Sequence, residues 1–240
     1  MSGALAARLA AVRERIARAA ARAGRRADEI ALVGVAKRHP ASAVVDAVRA
    51  GLLAIGESYV QEAQQKIPEA TARLAASGLS APRWHLVGKL QRNKARHAAP
   101  LFDVVESLDG VELGAELDRR AAAAGRRLDV LFQINLSGES QKGGIAPDAL
   151  PALVEASAAW SALEPVGLMT IPAAASDPEA ARPVFARLRA LLASAPRLPR
   201  GGRLRELSMG MSGDFEVAIE EGATIVRVGT AIFGPREDLA

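Results

Sequence analysis

Residues 30–40 read Ile30-Ala31-Leu32-Val33-Gly34-Val35-Ala36-Lys37-Arg38-His39-Pro40. This is a short apolar run, rich in β-branched residues, that stops at a cationic tripeptide and a proline. Its length suits a buried strand, and helix-compatible sequence follows it. Seven further runs repeat the pattern: Leu53 to Gly56, Trp84 to Val87, Phe102 to Glu106, Asp129 to Asn135, Pro165 to Thr170, Arg205 to Ser208 and Thr224 to Val228. Strands alternating with helices are the mark of βα units and a parallel sheet. Eight of them, with no Pro-, Gly- or Ser-rich linker between, predict one closed (β/α)₈ barrel, an α/β TIM-type domain spanning residues 1–240. Pro196 to Gly202 reads as the loop before the seventh strand.

Ahead of the first run, residues 3–23 form an amphipathic pattern, with Leu5, Leu9, Val12 and Ile16 on one stripe and arginines elsewhere, ended by Gly24. The expectation is an N-terminal helix, within residues 1–24, packed under the barrel; an organellar transit peptide or a membrane-surface helix is the competing reading. No apolar run approaches the roughly 20 residues of a membrane span. The chain of 240 residues has no cysteine, which removes a disulfide scaffold, a thiolate metal site and a cysteine nucleophile. These features point to a cytoplasmic protein.

The formal charge of +4 arises from 31 basic residues against 27 acidic ones, a weak excess for nucleic-acid binding. Five of the basic residues are lysine (Lys37, Lys66, Lys89, Lys94, Lys142) and the rest arginine. A lysine in this chain therefore asks for a reason. The cluster of Lys89, Arg92, Lys94, Arg96 and His97 carries no aromatic residue for base stacking and reads as a solvated face.

In α/β barrels the chemistry sits on the loops that follow the strands. Lys37 ends the first strand, where its side chain can reach the barrel mouth. Partly desolvated and beside another cation, such an amine serves as a nucleophile towards an aldehyde; a solvated lysine at a loop start is the plainer alternative. The loops after the seventh and eighth strands, Ser208-Met209-Gly210-Met211-Ser212-Gly213 and Gly229-Thr230, occupy the usual phosphate cradle of this fold. Arg227 stands inside the eighth run, where a barrel strand is otherwise apolar. A buried guanidinium needs a partner. A pyridine nitrogen would serve and would stay unprotonated beside it, and an inner carboxylate such as Glu57 or Glu106 would serve equally.

Several ordered motifs carry a family resemblance. They are Val35-Ala36-Lys37, Gly56-Glu57-Ser58-Tyr59-Val60-Gln61-Glu62, Trp84 to Lys94, Gln133-Ile134-Asn135 with Lys142-Gly143-Gly144, Gly167-Leu168-Met169, Ser208 to Ser212 and Val226 to Gly234. Over nearly its whole length the chain resembles the pyridoxal 5′-phosphate (PLP) homeostasis protein family, whose barrel is similar to the N-terminal domain of alanine racemase. The resemblance implies that Lys37 carries PLP as a Schiff base, that Arg227 faces the pyridine nitrogen, and that Ser208, Ser212, Gly229 and Thr230 hold the phosphate. The family usually has asparagine after Gly-Glu, where this chain has Ser58, so the resemblance carries no contact over to that position.

A racemase needs a base on each face of the cofactor imine. Lys37 supplies one. In alanine racemase the second is a tyrosine from the C-terminal domain of a partner subunit, whereas this chain ends just after the barrel. Tyr59, its sole tyrosine, lies just after the second strand. His85 reads as a hydrogen-bonded structural histidine. No catalytic residue and no metal ligand is assigned. The expectation is a monomeric PLP-binding protein, with PLP-dependent apo-enzymes as acceptors and neither nucleic acid nor membrane as a partner. A weak PLP-dependent racemase, and a phosphate-binding barrel enzyme without PLP, are the alternatives.

Overall fold

In the computed structural model, which describes residues 2–137 and 143–235, the period-two alternation of each strand sorts its side chains between two cores. The strands are β1 (Ala31–Val35), β2 (Ala54–Glu57), β3 (Arg83–Leu86), β4 (Val104–Leu108), β5 (Leu128–Gln133), β6 (Leu163–Met169), β7 (Glu206–Ser208) and β8 (Ile225–Val228). All pair in parallel in chain order, and β8 returns to β1 through Leu32 opposite Val226 and Val33 opposite Arg227, closing the barrel. Each of the eight expected runs contains or overlaps one of these strands. The largest shift is in β4, which continues past Glu106 to Leu108 through an irregular register. Glu106 is thus a strand-interior residue and not a strand end.

Val33, Val35, Val87, Val104, Leu131, Met169 and Ile225 fill the inside of the barrel. The larger core lies between sheet and helices, where Ile55, Trp84, Leu86, Phe132, Leu168 and Val226 meet the helical ring. Described helices are α1 (Ser2–Arg22), α2 (Ala41–Arg49), α3 (Val60–Ala76), α4 (Ala95–Ala98), α5 (Val111–Ala123), α6 (Leu150–Ala156), α7 (Arg182–Ser194), α8 (Phe215–Glu220) and α9 (Thr230–Phe233). Alanines such as Ala47, Ala63, Ala70, Ala98 and Ala121 are fully buried, and their small side chains let the helices ride close on the sheet. α5 packs closely at Gly114, where a Cβ would fall 2.2 Å from the Trp160 ring.

α1 does not lie under the barrel. Among the described residues the four-residue α9 is the one helix after β8, and α1 fills that side of the ring, packed against α8, α9 and α2. Its stripe of Leu5, Leu9, Val12 and Ile16 is buried there. Its arginines complete the docking: Arg8 donates to the Ile232 carbonyl at 2.7 Å, Arg13 to the Gly51 carbonyl at 2.7 Å, and Arg15 forms a two-pronged pair with Glu216 at 2.8 Å. Arg8, Arg13 and Arg15 are thus engaged in docking α1 to the rest of the barrel. Among the described residues, no helix is long and apolar enough to cross a membrane.

Candidate functional site

The alternation that turns Val33 and Val35 inward continues to Lys37, one residue pair beyond. There the segments after β1, β2, β3, β6, β7 and β8 enclose a cavity of about 260 Å³. Lys37, Ser58, Ser212, Gly213, Arg227, Gly229 and Thr230 supply its polar lining, and Val35, Val87, Ile171 and Met211 its apolar lining. Of the residues singled out from sequence, Lys37, Ser212, Arg227, Gly229 and Thr230 are brought together here. Ser208 is not. It is fully buried below the cavity, and its hydroxyl is committed to other side chains. Ile171 carried no signal in the sequence, and Met211 stood out only as part of the β7 loop, since an apolar residue in a loop does not announce what it lines.

Beneath the cavity floor a chain of polar side chains crosses the barrel. Arg227 donates to the hydroxyl of Ser208 and, at 2.9 Å, to the Thr170 carbonyl. Ser208 donates to Glu106 Oε2 at 2.5 Å, and Glu106 Oε1 accepts from His85 Nδ1 at 2.7 Å. The Arg227 guanidinium also lies 3.6 Å from Glu106 Oε2. Burial pushes the Glu106 carboxyl up, but the His85 hydrogen bond, the charges of His85 and Arg227, and the Ser208 hydroxyl together hold it below its ordinary value. Burial pulls Arg227 down against the opposing charges of Glu106 and Asp214. Of the two inner carboxylates weighed for Arg227, Glu106 is the partner. Glu57 points to the other side of the sheet, because Gly56, not Glu57, faces the barrel interior against Val33, Val35 and Val87.

Glu57 instead meets Lys66 of α3, whose Nζ donates to Glu57 Oε1 at 2.8 Å, to Glu62 Oε1 at 2.5 Å and to the Ala36 carbonyl at 2.8 Å. Glu62 Oε1 also accepts from the Arg38 amide at 2.6 Å. Burial is the main reason the Glu57 carboxyl rises to about 7, with Lys66 opposing and Glu62 adding to the rise.

The loop after β7 is shaped by Gly210, whose φ of +93° and whose missing Cβ, 2.6 Å from that of Ala218, admit no other side chain. Asp214 accepts from the Met211 amide at 2.6 Å, and the Gly210 carbonyl accepts from the Arg227 amide at 2.9 Å. Ser212 Oγ accepts from the amides of Gly229 and Ala231 at 3.3 and 3.4 Å, tying the β7 and β8 loops together at the cavity edge.

Residues 7–237 match the family model described as "Alanine racemase, N-terminal domain". The pyridoxal phosphate homeostasis protein of Pseudomonas aeruginosa is 44% identical, over 95% of this chain and 94% of that protein. This chain belongs to the pyridoxal phosphate homeostasis protein family. Among solved structures similar to this member of the family is PipY of Synechococcus elongatus PCC7942, 36% identical over 96% of this chain and 100% of that one. It was solved without PLP (TM-score 0.83) and with PLP bound (TM-score 0.81). Alanine racemase of Corynebacterium glutamicum matches at TM-score 0.63 and 18% identity, over 93% of this chain but 59% of the racemase. That likeness is one of fold alone. Of the motifs that mark the family in this sequence, Lys142 lies outside the described residues.

Proposed function

We propose that this protein binds PLP at the barrel mouth as a Schiff base on Lys37 and holds it for PLP homeostasis without turning over a substrate. The observation that carries the reading is that Lys37, Arg227 and the Ser212, Gly229 and Thr230 group line one cavity. This donor set fits the cofactor. An amine suits its aldehyde, a cationic donor suits its ring nitrogen, and hydroxyls and loop amides suit its phosphate. Bound PLP supplies an aldehyde that condenses with an amine, forming a C=N bond and releasing the carbonyl oxygen as water.

Each residue has a part in that binding. Lys37 provides the amine, and Arg227, anchored by Ser208 and the Thr170 carbonyl, presents donors that keep a ring nitrogen unprotonated and so weaken the ring as an electron sink. Ser212, Gly229 and Thr230 take the phosphate end. Ser208 supports the site through Arg227. PipY, solved with PLP bound, supports the cofactor assignment.

Carriage is favoured over turnover because Lys37 and Arg227 are the ionisable side chains among the described lining residues. Arginine rarely gives up its proton. Tyr59 is half exposed and lies outside the lining, and His85 is committed to Glu106. The reading places a monomer in the cytoplasm, single-domained, with PLP-dependent apo-enzymes as acceptors.

The test is a visible absorption spectrum of purified protein with and without added PLP, followed by borohydride reduction and peptide mass mapping. An imine band with the reduced adduct on Lys37 is expected. No band and no adduct would sink the assignment. Exchange of the α-hydrogen of an amino acid for deuterium in heavy water, dependent on Lys37, would turn the carrier into an enzyme.

A further inference from the structure

We propose that Lys66 is a positioning residue that clamps the backbone on both sides of Lys37 and so aims that side chain into the barrel mouth. The inference rests on the reading of Lys37 given above. Lys66 sits on the opposite side of the sheet from the cavity, between β2 and α3, and lines no part of the cavity. Its three ammonium hydrogens have three acceptors, of which one is the carbonyl of Ala36, the residue before Lys37. One of the other acceptors, Glu62 Oε1, also takes the amide hydrogen of Arg38, the residue after it. The peptide groups flanking Lys37 are thus fastened to a single three-residue cluster.

The need for such fastening is visible in the backbone. Arg38 has a φ of +62°, the one described non-glycine residue in the left-handed region, a conformation that a residue with a Cβ adopts only at a cost. That turn reverses the chain immediately after Lys37. A cost of this kind persists where surrounding contacts over-determine it, and the hydrogen bond from the Arg38 amide to Glu62 is such a contact.

Stability alone is a poor explanation of the cluster. Two carboxylates share one buried ammonium, and Glu57 Oε2 is buried with no hydrogen-bond partner among the described residues. Ion pairs of this kind are commonly no more stabilising than apolar residues of equal size. The choice of lysine also has a reason in a chain whose other cations are mostly arginine. A compact ammonium can meet three acceptors arranged around one point, which a planar guanidinium cannot.

The experiment compares wild type, Lys66→Met and Lys66→Arg in binding two probes. One is PLP, read by the imine band and by borohydride adduct on Lys37. The other is pyridoxine 5′-phosphate, which has the ring and phosphate but no aldehyde. Lys66→Met is expected to weaken imine formation by about tenfold or more, the scale on which supporting residues tune a site, while pyridoxine 5′-phosphate affinity stays within about twofold. Lys66→Arg is expected not to restore the imine. If Lys66→Met folds poorly, Glu57→Gln/Lys66→Met removes the stranded buried charge and allows the same comparison. Equal losses for both probes, or an undiminished imine, overturn the inference. A wild-type protein that forms no adduct overturns the reading of Lys37 and this inference with it, whereas a wild-type adduct with an unaffected Lys66→Met overturns the inference alone.

Discussion

His85 donates through Nδ1 to Glu106 at 2.7 Å, at the far end of the chain of contacts that begins at Arg227 in the cavity wall. The carboxylate is fully buried between two potential cations and a hydroxyl. Glu106→Gln keeps the shape but removes the anion that is hydrogen-bonded into this chain, leaving the buried Arg227 guanidinium with the charge of Asp214 alone. We expect a loss of about 3–5 kcal/mol in denaturant unfolding, the usual penalty for breaking a buried pair from one side. A loss below about 1 kcal/mol would mean that Arg227 is neutralised by other groups.

Lys37→Ala separates attachment from fold. The side chain lies at a partly exposed loop position, so chemical denaturation is expected to change by no more than about 0.5 kcal/mol. The imine band and the borohydride adduct are both expected to vanish, while a phosphate-bearing ligand without an aldehyde still binds.

The Glu57 carboxyl gives a pH dependence whose sign follows from its displacement. Its folded value of about 7 stands above its ordinary 4.5, so the folded state holds the proton more tightly. The stability linked to that proton is complete below about 4.5 and is lost as pH rises through about 7. Across that window wild type is expected to lose melting temperature relative to Glu57→Gln, which cannot ionise. Parallel curves for the two proteins would show that Glu57 is ionised throughout.

Gly210→Ala tests the β7 loop. The added methyl meets both a positive φ and the Ala218 side chain at 2.6 Å, so a destabilisation of about 1–3 kcal/mol is expected. Weaker binding of inorganic phosphate or PLP should accompany it, because Gly210 also fixes the strand carrying Arg227. A neutral substitution would mean that the loop relaxes freely.

The barrel was legible because its signal is repeated. Each β-rich run is short and ambiguous, but eight in register with intervening helices leave few alternatives, and even the boundary shift at Glu106 did not disturb the strand order. The outer lining of the cavity was legible for a similar reason, since Lys37, Gly229 and Thr230 fall at strand ends. What the sequence could not assign was the side of the sheet on which a buried polar residue faces. Glu57 and Glu106 look alike in sequence, yet one serves Lys66 and the other Arg227. Ser208 faces the interior as its strand position suggests, but it is fully buried and bonded to Glu106 and Arg227, a depth that a strand end in sequence does not reveal. Lys66 stood out as a lysine in an arginine-rich chain, but its acceptors come from β2, α3 and the β1 loop, which only the fold assembles.

The seating of α1 between α2, α8 and α9 has a consequence for the order of folding. α1 precedes every other described element, and part of its berth is supplied by α8 and α9, more than 190 residues further along the chain. Before those helices are in place the Leu5, Leu9, Val12 and Ile16 stripe has no partner from the C-terminal end. Contacts such as Arg8 with Ile232 span 224 positions, separations that slow folding because the chain must close its longest loop. Until those partners exist α1 has α2 alone to cover its stripe, and its docking against α8 and α9 is expected among the late steps of folding.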